Sequence, residues 1–269
     1  YIKNAVDKRK ISEKEITSRV KKVIQLKKWI GLDHFEPLST KELVPKLNSE
    51  NAKLVRRKLV ENSMTLLQNR EDVIPVKGLS RLKLASVSIG VDEVSPFQKM
   101  LGNYAPVDHF YISSKPTKEE VIKIINDLKS YNLTLVGIHG NSRSPRNKFG
   151  LTQEMMDVLN NIKSMHPTIV SVFANPYSLG LFPELSEGNA LIMAYENTLL
   201  SQEYSAQLIF GGIDAKGKLP VTVSDRFQVG DGLATKKKRL KYSIPIEEGF
   251  NPKKLKKVDS IVLDGIEEK

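Results

Sequence analysis

The segment from Thr168 to Thr222 constrains this chain more than any other. It opens with Thr168-Ile-Val-Ser-Val-Phe-Ala174, bounded by Pro167 and by the turn Asn175-Pro176-Tyr177. Ala190-Leu-Ile-Met-Ala-Tyr195 is a second short apolar run. Ser201 to Phe210 carries apolar residues at helical spacing and stops at Gly211-Gly212, and Gly217-Lys-Leu-Pro-Val-Thr222 closes the segment. Apolar runs this short, each punctuated by Asn, Pro or Gly, read as buried strands, and we assign Thr168–Ala174, Ala190–Tyr195 and Gly217–Thr222 as such. Their continuous rather than alternating apolar character implies burial on both faces, as in a parallel sheet covered by helices.

The same alternation extends upstream. Residues 83–91, 107–112 and 133–139 read as strands; residues 96–101, 117–130 and 152–165 read as helices between them. In the helix over 117–130, Val121, Ile124, Ile125 and Leu128 fall on one face. Regular strand–helix alternation specifies an α/β fold, a doubly wound and mostly parallel sheet sandwiched by helices. Helical extensions flank it at both ends. Ser12 and Glu15 form a capping-box pattern ahead of a helix that ends at Gly31, with Ile16, Val20, Val23 and Ile24 on one face. Residues 33–48 read as a connector with a short helical piece, and residues 49–67 as a helix whose end, Thr65 to Leu67, turns into a strand. After residue 226 come an exposed loop carrying Lys236-Lys-Lys-Arg239, an extended linker over 241–249, and a last helix capped by Asn251 with Pro252 at its first position. Three regions follow: 1–48, 49–226 and 227–269.

Composition narrows the chemistry. The 269 residues include no cysteine, which removes disulfides and thiolate catalysis. The chain holds 42 Lys and Arg against 31 Asp and Glu, a formal net charge of +11. That excess suits a polyanion-binding module or, more simply, solvated basic helix faces; no aromatic-interleaved basic motif of a nucleic-acid module is present, so no nucleic acid is expected. No run approaches the roughly 18 apolar residues of a membrane span. A chain that begins on Tyr1 reads as a piece of a longer protein, with any targeting segment upstream. Ser18 to Lys21 and Ser80 to Lys83 match Ser-x-x-Lys, but the partner motifs Ser-Asp-Asn and Lys-Thr-Gly are missing. The four histidines show no metal-ligand spacing, and no cofactor motif occurs, so neither a metal nor a cofactor is expected.

Asn175-Pro176-Tyr177, Ala194-Tyr195, Leu208-Ile-Phe-Gly211 and Gly217-Lys-Leu-Pro-Val-Thr222, in this order, resemble the C-terminal domain of glycoside hydrolase family 3, in the variant of the bacterial β-N-acetylhexosaminidases. Lys10-Ile-Ser-Glu, Arg19-Val, Leu26-Lys and Gly31-Leu32 are similar to the last helix of that family's N-terminal barrel, and the tail after Lys241 is similar to the junction with a β-lactamase-like serine hydrolase. The resemblance implies a parent enzyme that hydrolyses terminal β-linked N-acetylglucosamine in cell-wall recycling, in the cell envelope or periplasm. It implies the barrel as a partner and carbohydrate as the ligand. Because the family's catalytic pair sits on the barrel, this chain alone is expected to be inactive. The alternatives are a structural scaffold between a barrel and a serine hydrolase, or the polyanion-binding module.

Candidate contact residues follow from position. Ligands of open α/β sheets bind beyond the carboxyl ends of strands. His139 ends one apolar run and opens the polar loop with Asn141, Arg143 and Arg146; Asn175 and Tyr177 follow the next. These six read either as contacts to a sugar or to the barrel, or as a solvated loop with a locally hydrogen-bonded histidine and a turn-forming asparagine. Asp225, in Ser224-Asp225, echoes a nucleophile motif but follows the Leu-Pro-Val-Thr segment and is not assigned a catalytic role.

Overall fold

The computed structural model describes residues 1–37 and 39–267; Leu38, within the expected connector, and Glu268 and Lys269 lie outside the described residues. The chain divides into two units, Tyr1–Ser49 and Glu50–Lys269.

The first unit holds α1 (Ile2–Asp7), α2 (Glu13–Trp29) and α3 (Leu43–Leu47). Ser12 caps α2 by accepting from the Glu15 amide at 3.2 Å. The reciprocal half of the expected capping box is not formed. The Glu15 carboxylate instead accepts from Arg19 one turn on, at 2.8 Å. No residue of α2 is buried.

The second unit carries the sheet. Its elements are α4 (Glu50–Ser63), β1 (Thr65–Asn69), β2 (Leu84–Ile89), α5 (Pro96–Gly102), β3 (Val107–Ile112), α6 (Lys118–Leu128), β4 (Leu133–His139), α7 (Gln153–Lys163), β5 (Thr168–Phe173), α8 (Ser178–Leu181), β6 (Ala190–Met193), α9 (Leu199–Phe210) and α10 (Pro252–Glu267). Strand order is β1-β6-β5-β4-β2-β3. The strands β3, β2, β4, β5 and β6 run parallel, and β1 joins β6 antiparallel. The chain winds from β2 out to the edge strand β3, then crosses back to β4 and on to β6. The reversal falls between β2 and β4, the switch point of a doubly wound α/β fold.

Both faces of the sheet are covered, which explains the unbroken apolar runs. Val87, Ile89, Val136, Ile138, Val170 and Val172 meet α6 and α7 residues such as Leu128, Met155 and Leu159. The alternate positions Leu135, Ile169, Phe173 and Ile192 meet Phe97 and Leu101 of α5 and Tyr204, Leu208 and Ile209 of α9. Each fully buried side chain of this size contributes about 1.5–3 kcal/mol of transfer free energy. The α5/α9 side also carries a polar stripe. The Ser205 hydroxyl donates to Ser171 at 2.8 Å, and the Gln98 amide donates to the Ser86 hydroxyl at 3.1 Å. Ser95 caps α5 in a complete capping box with Gln98. Helix α9 is buried from Ser201 to Phe210 on nearly every side and ends at Gly211, whose φ of 73° supplies the left-handed cap.

Two expectations are corrected. Residues 217–222 form no strand. The Leu219 side chain is buried, but its backbone exchanges hydrogen bonds with the loop at Gly230 and Asp231, both at 2.8 Å, while Gly217 donates to Met64 at 3.1 Å. Pro220 has no N–H to give a ladder. Residues 241–249 are not an extended linker. They fold into a 3₁₀ turn over Pro245–Glu248, and Lys241 and Glu247 form ion pairs with Glu61 and Arg57 of α4. Helix α10 begins as expected: Asn251 accepts from the Lys254 amide at 3.3 Å.

Candidate functional site

An open cleft of about 410 Å³ lies beyond the carboxyl ends of β4, β5 and β6. Three loops make it. After β4, Gly140 to Arg143 form one wall. Gly140 permits the close approach: a Cβ there would lie 2.6 Å from the Phe149 carbonyl oxygen and 2.8 Å from Ala174. After β5, Asn175 accepts from the Tyr177 amide at 3.0 Å and closes an Asx turn into α8. After β6 the chain kinks at Tyr195, whose φ is +65°, and the Glu196 amide donates back to Ala194 at 2.8 Å. A left-handed non-glycine residue costs on the order of 1–3 kcal/mol and persists where surrounding contacts hold it. Here the Tyr195 hydroxyl is anchored to Thr65 at 2.6 Å. The kink turns Glu196 and Asn197 onto the rim, and Thr198 then caps α9 by accepting from Ser201.

Of the residues anticipated from the sequence, Asn141, Arg143 and Asn175 line the cleft together. Arg146 lies beyond its lining in the 3₁₀ stretch Pro145–Gly150, and Tyr177 is half exposed outside it. Asp225 sits in the turn bridged by Ser224 and Phe227, away from the cleft.

His139 is beneath the cleft rather than in it. Its ring is 1% exposed and lies 4.8 Å from the Phe173 ring. Nδ1 is 3.0 Å from the Asn197 Oδ1, and Nε2 is 3.2 Å from the Ser88 Oγ. Asn197 Oδ1 also accepts from Gln202 Nε2 at 2.8 Å, and Asn197 Nδ2 donates to the Gly140 carbonyl at 3.3 Å. This pattern sets the tautomer: Nδ1–H donates to Asn197, and the Ser88 hydroxyl donates to Nε2. The Ser88 hydroxyl in turn lies 2.8 Å from that of Ser95. Burial lowers the His139 pKa from 6.5 to about 4, against the opposing hydrogen bond to Asn197. A neutral ring with both nitrogens engaged orients Asn197; it is poorly suited to exchanging protons at neutral pH.

Sequence reasoning missed Tyr195, Glu196, Asn197 and Thr198. The rule that pointed to the loops after β4 and β5 applies equally after β6, where the polar Glu196-Asn197-Thr198 follows an apolar run. Among the described residues no group of three or more His, Asp or Glu could hold a metal ion, and no helix is long and apolar enough to cross a membrane.

Neither a family model nor a curated protein sequence matches this chain. Solved structures do match by shape. A glycoside hydrolase family 3 β-N-acetylglucosaminidase from Paenibacillus sp. aligns at a TM-score of 0.53 and 19% identity, over 82% of this chain and 42% of that one. A fungal multi-domain family 3 β-N-acetylglucosaminidase aligns at 0.54 and 19%, over 87% and 26%. A β-glucosidase from Listeria innocua, in complex with isofagomine, aligns at 0.58 and 16%, over 82% and 34%. The chain therefore has the fold of a domain found within family 3 glycosidases, and it spans less than half the length of these structures.

Proposed function

We propose that this chain is the non-catalytic C-terminal α/β domain of a glycoside hydrolase resembling the family 3 β-N-acetylhexosaminidases. The complete protein hydrolyses terminal β-linked N-acetylglucosamine in the cell envelope, and its barrel carries the catalytic pair. The observation that carries this reading is the cleft over β4, β5 and β6. It is polar and open, and it has the size of a small-ligand site. Glu196 is the one carboxylate among the described residues that line it. Retaining hydrolysis of a glycoside in the usual way takes two carboxyl groups about 5 Å apart. The cleft can contact a sugar through Asn141, Arg143 and Asn175, but it lacks that pair. The Asn175-Pro176-Tyr177 turn supports the amino-sugar branch, while the fold, shared with β-N-acetylglucosaminidases and β-glucosidases alike, supports the relation to family 3 glycosidases.

The test compares this 269-residue chain with a longer protein that also contains the barrel, on chromogenic β-N-acetylglucosaminide and β-glucoside. Turnover of the first substrate by the longer protein, with none by this chain, is expected. Comparable turnover by this chain alone would overturn the assignment, and preference for the β-glucoside would overturn the substrate.

One observation favours a second role alongside this one. Helix α10 leaves Val258, Ile261, Val262 and Ile266 exposed along its length. A stripe of that kind suits a scaffold continuing into a further domain. Truncation after Gly249 would leave glycosidase turnover intact and abolish docking of that domain if the scaffold role holds.

A further inference from the structure

The hydrogen-bond arithmetic of the cleft determines which kind of ligand atom it can meet. Asn197 Oδ1 has two lone pairs, and both are taken, by His139 Nδ1–H at 3.0 Å and by Gln202 Nε2 at 2.8 Å. One amide hydrogen of Asn197 goes to the Gly140 carbonyl at 3.3 Å, which leaves the other free. Flipping the amide would set its NH₂ against the Gln202 NH₂, whose orientation the Phe97 amide fixes at 3.2 Å, and its oxygen against the Gly140 carbonyl, so the orientation is fixed. Asn175 also presents its amide hydrogens, with one of its two acceptor lone pairs filled. Its Oδ1 accepts from the Tyr177 amide at 3.0 Å, and its NH₂ has no partner among the described residues. The Arg143 guanidinium likewise has no hydrogen bond or ion pair among the described residues. Three side chains therefore offer N–H groups to the cleft: Asn197 has both acceptor lone pairs filled, Asn175 has one of its two filled, and Arg143 has no acceptor. Glu196 is the one charged acceptor.

We propose that this cleft recognises a carboxylate-bearing sugar, with Arg143, Asn175 and Asn197 donating to the carboxylate and Glu196 accepting from ring hydroxyls. The proposal rests on reading the cleft as carbohydrate-facing and adds the class of sugar. Size separates a sugar acid from a bare anion. A space of about 410 Å³ falls within the range of small organic ligand sites and far exceeds the volume of an inorganic oxyanion. Pro176 and Tyr195 give it an apolar component that a sugar ring can use and a free anion cannot. His139 and Gln202 are positioning residues: they hold Asn197 as a pure donor and stay out of contact with the ligand.

The test is a titration of the ¹⁵N-labelled 269-residue chain with sodium D-glucuronate, D-glucose and sodium phosphate at constant ionic strength, followed at the side-chain amides of Asn175 and Asn197. Glucuronate should shift both amides and bind at least about tenfold more tightly than either glucose or phosphate, the scale of one charge-assisted hydrogen bond. Asn197→Asp, which replaces the free N–H by an acceptor, should weaken glucuronate by about tenfold or more. Arg143→Gln, at an exposed position where folding is not at risk, should do the same and leave the amide spectrum elsewhere unchanged. Equal binding of glucose would overturn the acid preference while leaving a carbohydrate cleft. Equal binding of phosphate would reduce the site to a general anion site. No shift with any of the three would overturn the proposal, and the glycosidase assay above would then decide separately whether the domain assignment stands.

Discussion

His139 Nδ1 lies 3.0 Å from Asn197 Oδ1, so a buried ring at the end of β4 fixes the orientation of a side chain on the rim of the cleft. The contact joins the loop after β6 to the centre of the sheet. Through Ser88 and Ser95 it continues into the cap of α5. The cleft is thereby tied to the polar stripe on the α5/α9 face of the sheet.

This linkage predicts a specific acid sensitivity. The folded pKa of His139, about 4, lies below the ordinary 6.5. Between those values the unfolded chain binds a proton that the folded chain does not, so acid favours unfolding. The His139 contribution is fully present above about pH 6.5 and is lost progressively as pH falls towards 4, up to roughly 3 kcal/mol. His139→Gln should be less stable than the parent at pH 7 but should lose less on going to pH 4.5. Urea unfolding at the two pH values measures both. Parallel losses in the two proteins would show that His139 does not set this part of the pH dependence.

Gly137 should be nearly irreplaceable for a related reason. A Cβ at this position would lie 2.9 Å from His139 Nε2, 3.1 Å from Phe97 and 3.2 Å from Phe173. None of these neighbours is the free end of a flexible chain, since the rings are packed together and His139 is held at both nitrogens. Gly137→Ala is expected to cost about 1–3 kcal/mol, read as a lowered thermal midpoint. It should also move the Asn197 side-chain amide resonance, because displacing the His139 ring displaces its partner.

The doubly wound sheet was legible because burial on both faces writes itself as short unbroken apolar runs. The same signal misled at Gly217–Thr222. Leu219 is buried there, but apolar content reports burial and not pairing, and Pro220 offers no donor. The cleft was half legible. Asn141, Arg143 and Asn175 follow strand ends that the sequence marks clearly. The loop after β6 was hidden because the apolar run continues to Tyr195 whereas the strand stops at Met193, and nothing in a tyrosine announces a positive φ. For His139 the sequence leaves open a sugar or barrel contact or a locally hydrogen-bonded histidine at the head of a solvated loop. Strand alternation sets Leu135, Gly137 and His139 on one face, against α5 and α9, and burial follows from that parity.

Arg143 and Arg146 should matter little to folding. Both are exposed, and neither has an ion-pair partner among the described residues. Arg143→Ala and Arg146→Ala, singly or together, are expected to change unfolding free energy by about 0.5 kcal/mol or less. Arg143→Ala should nevertheless weaken ligand binding in the cleft, and Arg146→Ala should not, since Arg146 lies outside the lining. Equal effects of the two on binding would show that general positive charge, rather than the cleft, attracts the ligand.

The segment after Lys241 should be held to the domain chiefly by Glu247. Its carboxylate is 5% exposed and accepts from Lys241 at 2.6 Å and from Arg57 at 3.3 Å, whose side chains are 15% and 11% exposed. Arg57 also lies over the Tyr204 ring at 5.3 Å, and Lys241 reaches Glu61 at 3.0 Å. Burial would raise the Glu247 pKa, but Lys241 and Arg57 outweigh it and hold the carboxyl below the usual range. A depressed carboxyl pKa stabilises the fold above the unfolded value near 4.3 and loses that contribution as pH falls through the folded one. Glu247→Ala removes the shared acceptor, leaving the poorly hydrated Arg57 without its ion-pair partner and Lys241 with Glu61 alone, at a cost of about 3–5 kcal/mol. Arg57→Met on its own should cost less, because Glu247 keeps Lys241. Limited proteolysis should then cut first within residues 241–249 of the Glu247→Ala protein while the sheet stays resistant. Cleavage at an unchanged rate in that segment would mean that the ion pairs do not hold it in place.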